Sequence, residues 1–423
     1  MKYKCHLIIV IAATTHLLLA LDNPHFYRAT NMFLEPRLEH DYLTTFAATL
    51  GGGSTPQGRS AHNTIVPLFD IYGIQSVQEL NANTIFQDPN NPFDQLLTQL
   101  RLLPTRPGFA MLSIGGHFNI LESNLSLAQN ISKGLFFFFH LPVRQLKIKD
   151  ITFTDLSPDD TIFPNKNTPQ WQEVFQELCP LLSHYGISIS PTTSTGVGDL
   201  SSWLGWTHNY QETNILDFID FTFMAGFLAP TGKQRNEDKL FSLPTGYNGH
   251  WGFPLCGAAS VGFYEWVTIG GYLNTLFFLN KDRTMRIKTD TAQSGIIKLA
   301  CARVSDHRGP LINTGFYFKA DHVGHGVSVT AAYSFASQQK SHLHLRLHNS
   351  SELDCSVINS DQMLAGWNMH TLNFLAEYDF AREDSTVGNR IGLFYNLQVA
   401  GSRVFNTNVV GGTYGIDISW IYN

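Results

Sequence analysis

Eight charged residues stand on the polar side of extended segments whose other side is apolar: Asp199, Asp220, Lys319, Asp321, Glu377, Asp379, Arg390 and Asp417. On the inner wall of a closed barrel such charges act through a low-dielectric surround. Their field is poorly screened there and sets which solutes pass. Six of the eight are acids, which predicts a mild preference for cations. The same groups can also pair across strands and stiffen the wall, and spacing alone does not separate the two roles.

Other residue patterns point to no chemistry. His342, His344 and His348 share a strand face with Arg346, a metal-ligand type of spacing. Leu343, Leu345 and Leu347 occupy the opposite face, so the segment reads as a strand edge turned to water. Gly226 to Lys233 imitates a phosphate-binding loop, but it has one residue too many between its glycines, and Gln234 stands where Ser or Thr must reach the metal. No GxSxG nucleophile elbow occurs. The expectation is a protein without enzymatic activity, metal or cofactor. The four cysteines Cys179, Cys256, Cys301 and Cys355 are too widely spaced for a zinc site; a disulfide is allowed outside the cytoplasm, with all three pairings open. Asn124, Asn130 and Asn349 precede x-Ser and would be glycosylation acceptors only in a eukaryotic secreted chain.

The elements that must carry the eight charges are strands. Val327, Val329, Ala331, Tyr333 and Phe335 lie on one parity, with Ser328, Thr330 and Ser334 on the other. The preceding segment puts Ile312, Thr314, Phe316 and Phe318 opposite Asn313, Gly315, Tyr317 and Lys319. Only a turn-rich stretch separates the two, which makes a hairpin. Leu372 to Phe380 and Ile391 to Leu397 repeat the pattern. Upstream, strands are expected near 38–51, 108–123, 134–155, 193–210, 214–231, 248–264 and 266–281, with a last one near 404–422. The total is twelve. Residues 284–289 and 295–303 also read as β, either a hairpin above the membrane or an extra pair that would make fourteen.

Composition agrees with this class. Charged residues are 15% of the chain, against roughly 25% in soluble proteins, while aromatics reach 13%. No stretch beyond the N-terminus approaches the length of an apolar membrane helix. A membrane-like composition without such a helix leaves the closed antiparallel barrel as the way to satisfy the backbone in lipid. Connections alternate long and short along the twelve strands, as extracellular loops and periplasmic turns do. Two long loops carry helical spacing, at Phe93, Leu96, Leu97 and Leu100 and at Trp171, Val174, Phe175, Leu178, Leu181 and Leu182, which places short helices at the rim. The net charge of −6 offers no surface for nucleic acid.

The N-terminus reads as a secretory leader: Lys2 and Lys4 precede two short apolar runs that end near Ala20. The expected organisation is a leader over 1–20, a periplasmic or plug segment over 21–37, and a transmembrane barrel over 38–423. At the other end Tyr414, Ile416, Ile418, Trp420 and Tyr422 share one parity. Tyr414, Trp420 and Tyr422 suit the aromatic girdle at the lipid interface. A terminal strand of this kind resembles the insertion signal that outer-membrane barrels present to their assembly machinery, except that Asn423 stands where the last residue is usually aromatic.

Three short stretches, Gly196-Val197-Gly198-Asp199-Leu200, Leu204-Gly205-Trp206 and Gly226 to Gly232, resemble the "GxGD … PTG" pattern of FadL-like and phenol-degradation (MetA-pathway) outer-membrane barrels. The likeness covers about 40 residues. It implies a barrel for uptake of small, often hydrophobic molecules, with an N-terminal plug for which Asp22 to Pro36 would be available. The expected function is therefore passive passage of small solutes across the outer membrane. The alternatives are an adhesin or structural barrel with a filled lumen, and a membrane-embedded hydrolase. Lipid, the assembly machinery and a small solute are the expected partners.

Overall fold

The computed structural model describes residues 43–80, 90–211, 216–264, 266–324, 326–346, 353–380 and 386–419. The leader, the 21–37 segment, His348, Trp420 and Tyr422 lie outside them.

Twelve strands form one closed antiparallel wall. They are β1 (Leu43–Thr55), β2 (Met111–Ser132), β3 (Leu135–Asp155), β4 (Leu200–Gln211), β5 (Phe218–Ala229), β6 (Gly252–Phe263), β7 (Val267–Phe278), β8 (Leu311–Gly324), β9 (Val327–Gln338), β10 (Trp367–Asp379), β11 (Val387–Ser402) and β12 (Val409–Ser419). Each pairs with its sequence neighbours, and β1 also pairs with β12, from Leu43↔Ser419 to Gly53↔Val409, which leaves no free edge in the ring. The closed ring pairs the wall strands with one another, the condition for crossing lipid without helices. No helix among the described residues is long and apolar enough to cross a membrane.

Side-chain parity follows the alternation. Phe316 and Leu393 are 62% and 73% exposed on the outer face, alongside Leu204, Phe223, Leu255 and Leu273. Inward-pointing neighbours such as Asn313, Tyr317, Thr330 and Asn373 are buried. Large apolar groups left in water at that density would be prohibitive, so the outer face is a lipid face. Tyr210, Tyr264, Trp266 and Tyr378 are exposed at the end where the turns are short. An amphipathic ring is favoured at headgroup level, so this end has an interface girdle. The short turns lie between β2 and β3, β4 and β5, β6 and β7, β8 and β9, and β10 and β11; this end faces the periplasm in barrels of this type. Along β3 the outer face changes from Leu135, Phe137, Phe139 and Leu141 to Gln145, Lys147 and Lys149. Beyond that change the β2–β3 hairpin stands clear of lipid on the extracellular side.

Several boundaries differ from the sequence reading. β2 runs on to Ser132 rather than stopping near 123, because Leu125 and Leu127 keep the outward parity while Asn124 and Ser126 point inward. The strand expected over 193–210 is two: Thr192–Val197 pairs with the projecting part of β3, and β4 begins only at Leu200. β1 continues through Gly51-Gly52-Gly53, a run that reads as a turn. It stays in the wall because the Phe394 ring covers Gly51: a Cβ there would come 2.7 Å from that ring's Cζ atom.

Residues 284–303 add no strand to the wall. Lys281–Arg286 pairs with Cys301–His307, and His342–Leu345 adds a third strand, giving a small sheet separate from the barrel. Its inner side forms a second core with Ile287, Val304, Leu343, Ile358 and Leu364. The helices fall where their spacing predicted: α1 (Pro92–Arg101), α2 (Pro169–Gln176) and α3 (Leu178–His184). Asn91 caps α1 by accepting the Phe93 N–H at 2.9 Å, with Pro92 in the first turn. The Trp171 indole of α2 donates to Asp155 at 2.9 Å, which fixes the helices on the extracellular end of β3.

Candidate functional site

The inside of the barrel divides along its length. In the periplasmic half the inner parity of β8 to β12 places Lys319, Asp321, Glu377, Asp379, Arg390 and Asp417, with Asp220 on β5. Lys319 meets Asp321 at 2.9 Å, and Ser328 donates to Asp321 at 2.6 Å. Arg390 meets Asp417 at 3.2 Å, and Thr45 donates to the other Asp417 oxygen at 2.7 Å. Thr413 donates to Glu377 at 3.4 Å, and Ser260 to Asp220 at 3.5 Å. Asp220, Asp321, Arg390 and Asp417 thus each meet a group on a neighbouring strand, and Glu377 reaches across β11 to β12. Five of these seven residues are acids and two are bases, so pairing within the set leaves a negative excess.

Midway up, two further charges face each other. Arg144 of β3 donates through Nε to Glu122 of β2 at 2.7 Å, and both are buried. Asn124 donates to the second carboxylate oxygen at 2.8 Å. The other side of the guanidinium reaches the Thr245 carbonyl at 2.9 Å, which ties the wall to the loop between β5 and β6. A buried pair of this kind is tolerable only because almost every donor and acceptor is met. Beside it Phe136, Phe138, Trp203, Met224 and Cys256 make an apolar inner patch across β3 to β6.

The extracellular mouth is filled by loops. Phe69, from the loop after β1, packs on Phe241, from the loop after β5, with ring centres 4.7 Å apart. Phe405, from the connection before β12, lies 5.0 Å from Phe118 of β2 and 6.0 Å from Phe69. Leu68, Ile71, Leu228, Leu276, Leu311 and Trp367 complete the same core. Each such side chain, fully withdrawn from water, contributes about 1.5–3 kcal/mol. The loops are tied in by polar contacts as well. Asp70 accepts from Ser113 at 2.6 Å and from the Ile114 N–H at 2.9 Å on β2. Burial raises the Asp70 carboxyl above its usual range despite these bonds.

No family model matches the sequence, and no curated protein matches it. Solved structures do. The fold is similar to an outer membrane channel from Pseudomonas putida F1, at 10% identity with a TM-score of 0.47, over 94% of this chain and 99% of that one. It is also similar to the translocator domain of the autotransporter NalP from Neisseria meningitidis, at 8% identity and TM-score 0.37, over 90% of each chain. A third is the CymD monoaromatic hydrocarbon channel, at 10% identity and TM-score 0.33, over 91% of this chain and 90% of that one.

Of the eight charges singled out from sequence, seven lie on the lumen wall. Asp199 stands apart, at the extracellular end just before β4, buried and held by backbone amides of the following loop: Gly232 N–H at 2.8 Å and the Tyr247 N–H. Burial raises its carboxyl above the usual range, with the two amide bonds and the nearby Arg144 and Arg308 opposing. It is a fastener for the loop. The Gly226 to Gly232 stretch ends at that fastener. His342 and His344 face outward on the small sheet, where His344 lies 4.6 Å from His307 between ring centres. Among the described residues no three metal-ligating groups converge.

Sequence reasoning missed Glu122 and Arg144. They are direct cross-strand partners, but the run Phe136 to Phe139 hides parity by being apolar on both faces. It also missed the aromatic plug, whose members come from three loops with no local periodicity.

Proposed function

We propose that the chain is an outer-membrane channel that passes small solutes without chemistry, with a bias toward cations at its periplasmic half. The observation that carries this reading is the contrast inside the barrel: an acid-rich wall lies below a plug whose centre, Phe69, Phe241 and Phe405, comes from segments between the wall strands. A loop-built plug can move while the hydrogen-bonded wall stays closed. Charges on a low-dielectric inner wall act strongly on ions close by. The location is supported by the apolar outer belt and by the asymmetry of turns and loops. The terminal strand β12, with Tyr414 outward, supports insertion by the barrel-assembly machinery.

The patch of Phe136, Phe138, Trp203 and Met224 favours a narrower version, in which hydrophobic solutes slide along β3 to β5. Planar-bilayer recordings and liposome uptake test both. Conductance with a reversal potential of cation sign supports the channel, and faster uptake of an apolar aromatic probe than of a sugar of similar size supports the narrower version. The absence of conductance and of any solute uptake, in the wild type and in plug variants, rejects the channel in favour of a barrel with a filled lumen.

A further inference from the structure

The outward face of the small sheet carries three imidazoles. His307 ends the strand Cys301–His307, and the register sets it directly across from His342, the first residue of His342–Leu345. His344 follows two residues on, so it projects from the same face as His342. Leu343, between them, points the other way and is buried in the second core, which gives the two histidines a packed floor. His342 and His344 are exposed and His307 is half-buried. No local spacing connects His307 with the other two; the register alone does.

The His307 and His344 rings lie 4.6 Å apart between centres, inclined at 56°. Two imidazoles that share a tetrahedral metal through bonds of about 2.0–2.1 Å have ring centres roughly 5 Å apart, so little movement is needed. His342 is the cross-strand partner of His307, which puts their Cβ atoms about 4.5–5.5 Å apart. With the rings as they stand, no three ligands converge among the described residues. The third is reached by a change of χ1 well at His342, an exposed side chain on a strand, where two wells are common.

The ring nitrogens are available. His117, His184, His250 and His370 each have a hydrogen-bond partner. Among the described residues none of the three outward rings has one. Two cations stand near: Arg346 is paired with Asp282 at 3.1 Å, and Lys340 donates to the Asn359 carbonyl at 2.8 Å. Both thus have partners other than the imidazoles. Above its ordinary pKa of about 6.5 an imidazole is neutral, which is the form that ligates metal.

We propose that His307, His342 and His344 bind one divalent transition cation of the class that imidazole favours, Cu²⁺, Ni²⁺ or Zn²⁺. His342–Leu345 is a four-residue edge strand, paired with the sheet on one side only. A metal bridging it to Cys301–His307 would staple that edge from the extracellular side.

The test uses the refolded full-length barrel without an affinity tag, stripped with EDTA and titrated with Cu²⁺ and with Zn²⁺. Calorimetry should show one tight site, and the electron paramagnetic resonance spectrum of the Cu²⁺ form should show three nitrogen ligands. His307→Ala and His344→Ala should each weaken binding by about a hundredfold, the upper end of what loss of an outer-shell partner costs. His342→Ala should remove the third nitrogen, and Zn²⁺ should slow proteolysis of the small sheet in the wild type alone. His62→Ala, at an exposed histidine elsewhere, should change nothing. A wild-type spectrum with fewer than three nitrogens overturns the proposal. So does binding that survives His307→Ala combined with His344→Ala. Should a variant not fold, the wild-type spectrum still decides.

Discussion

The two ends of the lumen are built on opposite principles. At the extracellular mouth the inner wall is apolar and takes its partners from distant loops, so order there depends on packing. In the periplasmic half the wall is polar and takes its partners from the wall itself, mostly from the adjacent strand, so order depends on hydrogen bonds that follow from the register. The first can be removed without opening the ring of strands. The second cannot be rearranged without slipping the register, which would turn every polar side chain to lipid. A channel that has to open while remaining a barrel would place its movable part in the first region.

Substitutions can break or sharpen this contrast. The largest effect is expected from Phe405→Ala, which empties the centre of the plug. A buried Phe lost to a cavity costs about 3–5 kcal/mol. Loop protection against trypsin should fall by that amount and conductance should rise, while the wall keeps its β-sheet circular dichroism. Equal loss from plug and wall would erase the distinction between the regions.

Arg144→Met comes next. It leaves the Glu122 carboxylate buried without its cation, at a cost of about 3 kcal/mol or somewhat more. The double variant Glu122→Gln with Arg144→Met should recover most of it in urea unfolding. A double variant no more stable than the single one would mean that the pair acts through its link to Thr245 rather than through charge.

An effect of intermediate size is expected from acid. Burial pushes the Asp306 carboxyl up, but the Arg283 guanidinium and the His250 ring hold it well below the usual carboxylate range. A pKa lower in the folded than in the unfolded state contributes stability above the ordinary value near 3.9, and that stability is lost as pH falls below it. Asp199 has the opposite sign. Its raised carboxyl favours folding below the ordinary range, and the gain is lost as pH rises through the raised value. Acid should therefore release the small sheet, read as protease sensitivity of residues 281–307, while the Asp199 fastener holds. Asp306→Asn should remove that acid step.

The smallest change in stability belongs to the periplasmic charges. Arg390→Gln should cost about 1 kcal/mol or less, because the pair with Asp417 is partly solvated. Its signature is electrical, a reversal potential moved further toward cations. Asp321→Asn with Asp379→Asn should move it the other way. No movement in either variant would mean that these groups only brace the wall.

Much of the barrel was legible because parity is a local property. Phe316 and Phe318 against Tyr317 and Lys319 is enough to orient β8, and the count of twelve follows from such pairs. The failures have one cause each. Gly51 to Gly53 looks like a turn until Phe394, far along the chain, is known to lie over it. Asp199 looks like a mid-strand residue because Gly198 does not interrupt the apparent alternation from Thr193 onward. Glu122 and Arg144 are masked by a Phe run that is apolar on both faces. The plug was illegible because its contacts are tertiary, and no window of sequence contains Phe69, Phe118, Phe241 and Phe405 together. Seven lumen charges could be read from alternation; their partners required the register.

The seam between β1 and β12 has a consequence for how such a molecule is made. Thr45 and Asp417, which meet across it, are 372 residues apart. Hairpins can zip one after another along the chain with little loop entropy at each step, but the last joint has to bring the two ends of the molecule together. Until it does, the growing sheet carries two open edges, the state most prone to joining another chain. Closure is thus a single late event on which all the earlier pairings depend. A defect at Leu43 to Gly53 or at Val409 to Ser419 should accordingly be felt as failed assembly rather than as a weakened product.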